Sequence, residues 1–252
     1  MALKGPRGEI DVALIDLDDT LVPWQTLSHW QWAWRPQGPI LSERRMRSAV
    51  KRSMQAWDRR RWQGLRGSQP PADVTTLREH LKGTLELLAG HPVPSAEADP
   101  VIARFLHSAG EIEMFPDVPE FLSFLERGAV RVGVTTSLPG EAARWALKRI
   151  GLSDSLLVST GDDGQTPPMP TVAAFRRAAE RLGAKPRTAL FLGDLFWSDV
   201  RAAARAGLYP ILIDRAELWP TASVPRAPSL ARVPAEMARS IESSPDETEA
   251  EP

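Results

Sequence analysis

The chain has 252 residues, of which 42% are hydrophobic and 25% charged, with a formal net charge of −1 and no cysteine. That length fits one large domain or a core with an insert, and the apolar share is enough for a sizeable buried core. Lack of cysteine excludes disulfides, thiol catalysis and cysteine zinc sites, while the net charge alone selects no partner.

No stretch approaches the ~20 apolar residues that a membrane span needs. The first residues carry no apolar run of signal-peptide length, so a soluble, cytoplasmic protein is expected. Ile10 to Leu17 is a nearly unbroken apolar run ending in acids, the pattern of a buried parallel strand whose carboxyl end faces a site. Four more strands are expected at Val130–Val134, Leu156–Val158, Ala189–Leu192 and Ile211–Ile213. Helical patterns separate them. Pro119–Arg127 stops at Gly128, Glu141–Ile150 at Gly151, Thr171–Leu182 at Gly183 and Asp199–Ala206 at Gly207, glycine being favoured just past a helix end. Strand alternating with helix predicts an α/β fold, a Rossmann-like parallel sheet covered on both faces, with ligands bound beyond the strands' carboxyl ends.

The alternation lapses between the first two strands. From Trp24 to Glu111 only helical periodicity is present: Met46, Ala49, Val50, Met54 and Trp57 share one face, and Leu77, Leu81, Leu85 and Leu88 another. The expected organisation is therefore a core of residues 1–23 and 112–220 with an all-helical insert, residues 24–111. Residues 221–252 read as a Pro-rich and then acidic tail whose last part is expected to be disordered.

Hydroxyls and acids gather at the expected strand tips. Asp16-Leu17-Asp18-Asp19-Thr20 ends the first strand, and side chains two apart in extended chain point the same way, so Asp16 and Asp18 can face one pocket. Paired carboxylates repel, and a divalent cation with all-oxygen ligands, Mg²⁺ above all, would relieve that repulsion. Thr135-Thr136-Ser137 follow the second strand, and Gly193-Asp194 with Asp199 follow the fourth. An acid starting a helical pattern, as Asp199 does, can equally be a helix cap, and Asp19 can be a cap or simply solvated.

In that order and spacing, the motifs resemble those of the haloacid dehalogenase (HAD) superfamily. Asp16-x-Asp18-x-Thr20 is similar to its nucleophile motif, Gly133 to Ser137 to its second motif, and Gly193 to Asp199 to its acidic fourth motif; Phe115-Pro116-Asp117-Val118 resembles the return from a helical cap into the core. The resemblance implies a phosphatase acting through an aspartyl-phosphate. Asp16 would attack phosphorus, Asp18 would protonate the leaving group and then activate water, and Thr135 and Thr136 would hold the phosphoryl oxygens. Mg²⁺ would be held by Asp16, Asp18 (through its carbonyl) and Asp194, with Asp199 in support. An acid at Asp18 argues against halide displacement. The implied substrate is a small phosphorylated molecule, with no membrane partner.

One element departs from the pattern. The lysine of the third motif, usually in a Lys-Pro-x-Pro run, falls where this chain has Pro167-Pro168-Met169-Pro170, and proline offers neither charge nor N–H. Arg144, Lys148 and Lys185 are candidate replacement cations. A HAD-fold protein that binds a phosphorylated ligand or a protein partner without turnover is the alternative. The insert's first half adds a third reading, because Arg44, Arg45, Arg47, Lys51, Arg52, Arg59, Arg60, Arg61 and Arg66 lie among several tryptophans. Such a surface could bind nucleotide or nucleic acid by stacking and charge, but at helical spacing tryptophans in a core beneath a solvated basic face are the simpler expectation. His29, His80, His91 and His107 show no metal-binding spacing.

Overall fold

The computed structural model describes residues 3–24, 27–35, 41–66, 74–109, 112–160 and 169–242. A small antiparallel pair, β1 (Lys4–Gly5) and β2 (Gly8–Glu9), precedes β3 (Val12–Asp16). The insert follows as α1 (Leu27–Trp34), α2 (Glu43–Arg66), α3 (Val74–Ala89) and α4 (Ser95–Ala109). The chain then alternates through α5 (Val118–Arg127), β4 (Arg131–Thr135), α6 (Gly140–Arg149) and β5 (Leu157–Ser159). After it come α7 (Val172–Arg181), β6 (Ala189–Gly193), α8 (Arg201–Ala206), β7 (Tyr209–Ile213), β8 (Arg226–Ala227) and α9 (Val233–Glu242).

Six strands form one parallel sheet in the order β5-β4-β3-β6-β7-β8. The central strand shows why the sheet is covered on both faces. Val12 and Leu14 point into a core shared with α7, α8 and the insert, whereas Ala13 and Ile15 point into one shared with α5, α6 and α9. Register places Asp16 beside Thr135 at one sheet end, and Gly193 closes β6 on the other side of β3.

The expected core helices form with small shifts at their ends. Thr171 is the N-cap of α7, its hydroxyl accepting the Ala174 N–H at 3.2 Å, and Gly207 takes φ of 94° just past α8, a left-handed conformation without cost to a residue lacking Cβ. On helix α6 Ala143, Ala146 and Leu147 are buried, while Trp145 is 53% exposed.

The tail reading needs correction. Residues 226–242 supply an edge strand and a helix of the core, because Leu230, Val233 and Met237 recur at helical spacing and are buried in it. Asp117 helps to fix this segment by accepting the Leu230 N–H at 2.7 Å. The acidic residues 243–252 lie outside the described residues.

In the insert, Trp30 and Trp62 are buried, as are Met46, Ala49, Val50 and Met54 of α2 and Leu81, Leu85 and Leu88 of α3. The arginines of α2 flank this core, and several bind backbone or a neighbouring acid: Arg45 Nη2 donates to the Ala89 carbonyl at 3.1 Å, and Arg47 pairs with Glu43. Packing therefore accounts for much of the tryptophan and arginine content. Among the described residues, no helix is long and apolar enough to cross a membrane.

Candidate active site

A tight turn follows β3. The N–H groups of Leu21 and Val22 donate to the Leu17 carbonyl at 2.9 and 3.0 Å, and that of Asp19 donates to the Val22 carbonyl at 2.7 Å. Asp19 adopts φ of 54°, which Asp tolerates better than most residues, and its carboxylate accepts the Trp24 N–H at 2.8 Å. Asp19 is thus a backbone acceptor that starts the insert. The Trp24 ring meets Phe105 edge-on, with centroids 6.1 Å apart, so it packs against the insert's own core.

Asp16 stands at the head of this turn. Gly193 on the neighbouring strand lies so close that a Cβ there would come within 3.5 Å of the Asp16 Cβ and 2.6 Å of the Phe191 ring. Glycine at this position lets β6 deliver Asp194 beside Asp16. The chain then makes a single π-helical turn, Phe196–Val200, which carries Asp199 inward. One carboxylate oxygen from each of Asp16, Asp194 and Asp199 lies within 4.8 Å of the other two. Asp194 and Asp199 are 8% and 6% exposed, so Asp199 belongs to the acid cluster itself.

Burial is the largest cause raising the pKa of each acid here. Asp16 and Asp194 are held well above the ordinary carboxylate range, with the charge of Asp199 adding at Asp16 and that of Asp16 at Asp194. Asp18 is pushed up to about 7 by burial and by Asp19, and a hydrogen bond from Thr136 acts in the opposite direction. Asp199 is likewise raised to about 7. Without a cation such a cluster keeps protons; a divalent ion would let it ionise. The all-oxygen donor set suits a hard divalent cation.

The hydroxyls divide. The Thr135 side chain is fully buried beside Asp16, and its oxygen has no hydrogen-bond partner among the described residues, a donor left open at the strand tip. Thr136 is engaged, accepting the Leu138 N–H at 3.1 Å and bonding Asp18.

Two residues of α2 reach this site without having been expected there. Asp58, 0% exposed, accepts the N–H groups of Trp197 and Ser198, both at 2.8 Å, and so fastens the insert to the turn that holds Asp199. Arg61 lowers the pKa of Asp16, Asp18, Asp58 and Asp199 by its charge. The sequence did carry a signal for the first. Met46, Val50, Met54, Asp58 and Trp62 form one i, i+4 stripe, in which a lone acid is out of place unless it has a buried partner.

The three candidate replacement cations are dispersed. Lys148 is exposed in the last turn of α6, and Lys185 is exposed ahead of β6, at the amino end of the sheet, away from the acids. Arg144 lines a cavity of about 400 Å³ with Gly140, Ser159, Thr160 and Arg181 at the end of β5. Pro167 lies outside the described residues.

Outside the acid cluster, Arg215 braces the turn after β3. It forms a two-pronged pair with Asp117 at 2.9 and 3.1 Å, donates to the Thr20 carbonyl at 2.9 Å, and stacks 3.9 Å from the Phe115 ring centroid. Trp219 Nε1 donates to the Asp194 carbonyl at 3.1 Å from the far side.

Comparison with known proteins bears on this arrangement. A family model for haloacid dehalogenase-like hydrolases matches residues 10–207. The chain is 29% identical over 143 residues to ribulose-1,5-bisphosphate 5-phosphatase of Halopiger xanaduensis, covering 55% of this chain and 58% of that protein. It is 31% identical over 140 residues to glyceraldehyde 3-phosphate phosphatase of Methanopyrus kandleri, covering 54% and 58%. The chain thus matches a little over half the length of these curated relatives. Among solved structures, the HAD-hydrolase YfnB from Bacillus subtilis bound to magnesium superposes with a TM-score of 0.63 at 16% identity, over 91% of this chain and 99% of that one. A dehalogenase with intermediate complex gives 0.62 at 20% identity, over 89% and 95%. At such identities the likeness is one of fold.

Proposed function

The chain belongs to the haloacid dehalogenase-like hydrolase family, and from that premise we propose that it is a Mg²⁺-dependent phosphatase of a small phosphate monoester, with the helical insert as a cap over the site. The observation that carries this reading is the meeting of Asp16, Asp194 and Asp199 within 4.8 Å, next to Asp18 and the open hydroxyl of Thr135. Phosphatase relatives support the reaction class. Asp16, Asp194, Asp199 and the backbone carbonyl of Asp18 would hold the ion. Its charge, when bound, keeps the carboxylates ionised and offsets the negative charge of the phosphoryl oxygens.

In the proposed reaction an Asp16 oxygen attacks phosphorus as the P–O bond to the leaving group breaks, and Asp18 gives its proton to the departing alkoxide. Asp18, now a carboxylate, takes a proton from water as that water attacks the acyl-phosphate, which releases inorganic phosphate and restores Asp16. Thr135 donates its hydroxyl to a phosphoryl oxygen. Positioning and charge compensation do most of the work in such a transfer.

Phosphate release from a generic aryl phosphate, and from the substrates for which the relatives are named, tests the proposal. Turnover is expected only with Mg²⁺ and should fall by at least about 10³-fold in Asp16→Asn. Undiminished turnover in that variant would overturn the mechanism. Silence of the native protein across the panel would leave a binding protein in place of the enzyme.

A further inference from the structure

We propose that Arg61, supplied by the insert, is a catalytic residue whose guanidinium binds a non-bridging oxygen of the transferring phosphoryl group. The proposal rests on the phosphatase reading, because it assigns a phosphoryl group to the space beside Asp16.

The argument begins with charge. Asp16, Asp18, Asp58, Asp194 and Asp199 bring five carboxylates to one buried region. Asp58 is satisfied by two backbone N–H groups. Of the other four, Asp18 enters the proposed reaction protonated; the remaining three carboxylates together with a dianionic phosphate outweigh the charge of one divalent ion, and a fixed cation facing the same space lowers that cost.

Arg61 has the position for this role. It lies three residues after Asp58 on α2, hence on the same side of the helix, and Asp58 is bonded directly to the turn bearing Asp199. Its charge reaches Asp16, Asp18 and Asp199. The guanidinium carbon stands 5.1 Å from the Trp57 ring centroid, so the indole can steer a planar cation without using any of its N–H donors. Its Nε atom is buried and has no hydrogen-bond partner, and no ion pair engages the side chain among the described residues. A buried guanidinium N–H without an acceptor is costly, and a phosphoryl oxygen is the acceptor this chemistry predicts. A five-donor planar fork suits phosphate better than an ammonium would.

The test compares native protein, Arg61→Ala, Arg61→Lys and the double variant Arg61→Ala/Pro167→Lys. Inorganic phosphate binding in saturating Mg²⁺ is measured by calorimetry, alongside turnover and binding of Mg²⁺ alone. Arg61→Ala is expected to weaken phosphate binding at least tenfold and to lower kcat by about 10²–10³-fold, while Mg²⁺ affinity holds or rises because a competing cation has gone. Arg61→Lys should retain part of both functions, and a lysine at Pro167 should restore part of what Arg61→Ala loses. Unchanged phosphate affinity in Arg61→Ala overturns the assignment, as does a parallel loss of Mg²⁺ binding and melting temperature, which marks a structural role. Native protein that binds phosphate through Arg61 yet turns over nothing would remove the phosphatase reading and with it the catalytic role, leaving Arg61 as a phosphate ligand only. Native protein that fails to bind phosphate removes the inference.

Discussion

The carboxyl end of the sheet and the insert contribute opposite things to one site. At the carboxyl end of the sheet, acids gather because parallel strands must end side by side: β3 delivers Asp16, and β6 delivers Asp194 and then Asp199. The insert contributes what the sheet cannot, a cation at Arg61 and a buried acceptor at Asp58 that binds a turn 139 residues further along the chain. The contrast teaches that the clustered acids come from topology, while their neutralisation and fixing come from a docked surface. Perturbing each side separately should therefore give different signatures.

The largest effect is expected on the docked side. Asp58→Ala leaves the N–H groups of Trp197 and Ser198 without their acceptor at 2.8 Å, in a buried place. Losing two charge-assisted bonds should cost about 3–5 kcal/mol of stability and loosen the turn that carries Asp199. Denaturant titration reads the first effect and Mg²⁺ affinity the second; a stable variant with native Mg²⁺ affinity would show that the two regions are independent.

On the sheet side, metal binding is the corresponding probe. Asp18 and Asp199 have folded pKa values near 7 against an ordinary 3.8, so the folded metal-free protein holds more protons than the unfolded chain between about pH 4 and 7. Their contribution to stability is fully present at the acid end of that window and is lost as pH rises through 7. Under the proposed ligation Mg²⁺ would compete with those same protons. At a hundredfold excess over its Kd it should stabilise by about 2.7 kcal/mol, with a larger rise in melting temperature at pH 8 than at pH 5.5. Equal shifts at both pH values would contradict ligation by these carboxylates.

Gly193→Ala strikes where the sheet side is most crowded. The new methyl would sit 2.6 Å from the Phe191 ring, which is itself wedged against Phe175 with centroids 4.8 Å apart, so the ring cannot yield easily. Overpacking of this kind costs about 1–3 kcal/mol. Because relief of that clash shifts β6, which delivers Asp194, kcat should fall together with stability. A variant of native stability and rate would mean that β6 has slack near Asp16.

The same contrast decides what could be read from sequence. Apolar runs and helix-ending glycines located β3 to β7 and the core helices because short-range periodicity specifies them. The acids at the strand tips were visible for the same reason. The edge strand β8 and helix α9 were obscured by the proline and serine content around residues 220–229, although Leu230, Val233 and Met237 carried the helical period. Arg61 was hidden more deeply: one arginine in a run of them looks like solvated surface, and only the docking of α2 against Phe196–Val200 distinguishes it. Asp199, readable as a helix cap, joins the cluster because a π-helical turn rotates it inward, and no local propensity announces such a turn.

The smallest effect sharpens the comparison from inside the insert, where an ionisable group is buried away from the acids. His80 is 1% exposed, its ring stacked 4.8 Å from Trp57 and its Nδ1 3.3 Å from Ser53 Oγ. Burial, with the charge of Arg60, lowers its pKa from 6.5 to about 3, so the folded protein keeps the ring neutral where the unfolded chain protonates it. The stability this histidine permits is complete above pH 6.5 and is lost as pH falls from there toward 3, the reverse of the trend set by Asp18 and Asp199. Between pH 6.5 and 5.5 the loss amounts to about 1 kcal/mol. His80→Gln retains a polar group near Ser53 and removes the titration, so the difference in unfolding free energy between native and variant protein should narrow on acidification by that amount. Because Trp57 contacts both His80 and Arg61, a matching acid-dependent change in phosphate affinity would join the two halves of the insert, and its absence would confine His80 to holding α2 against α3.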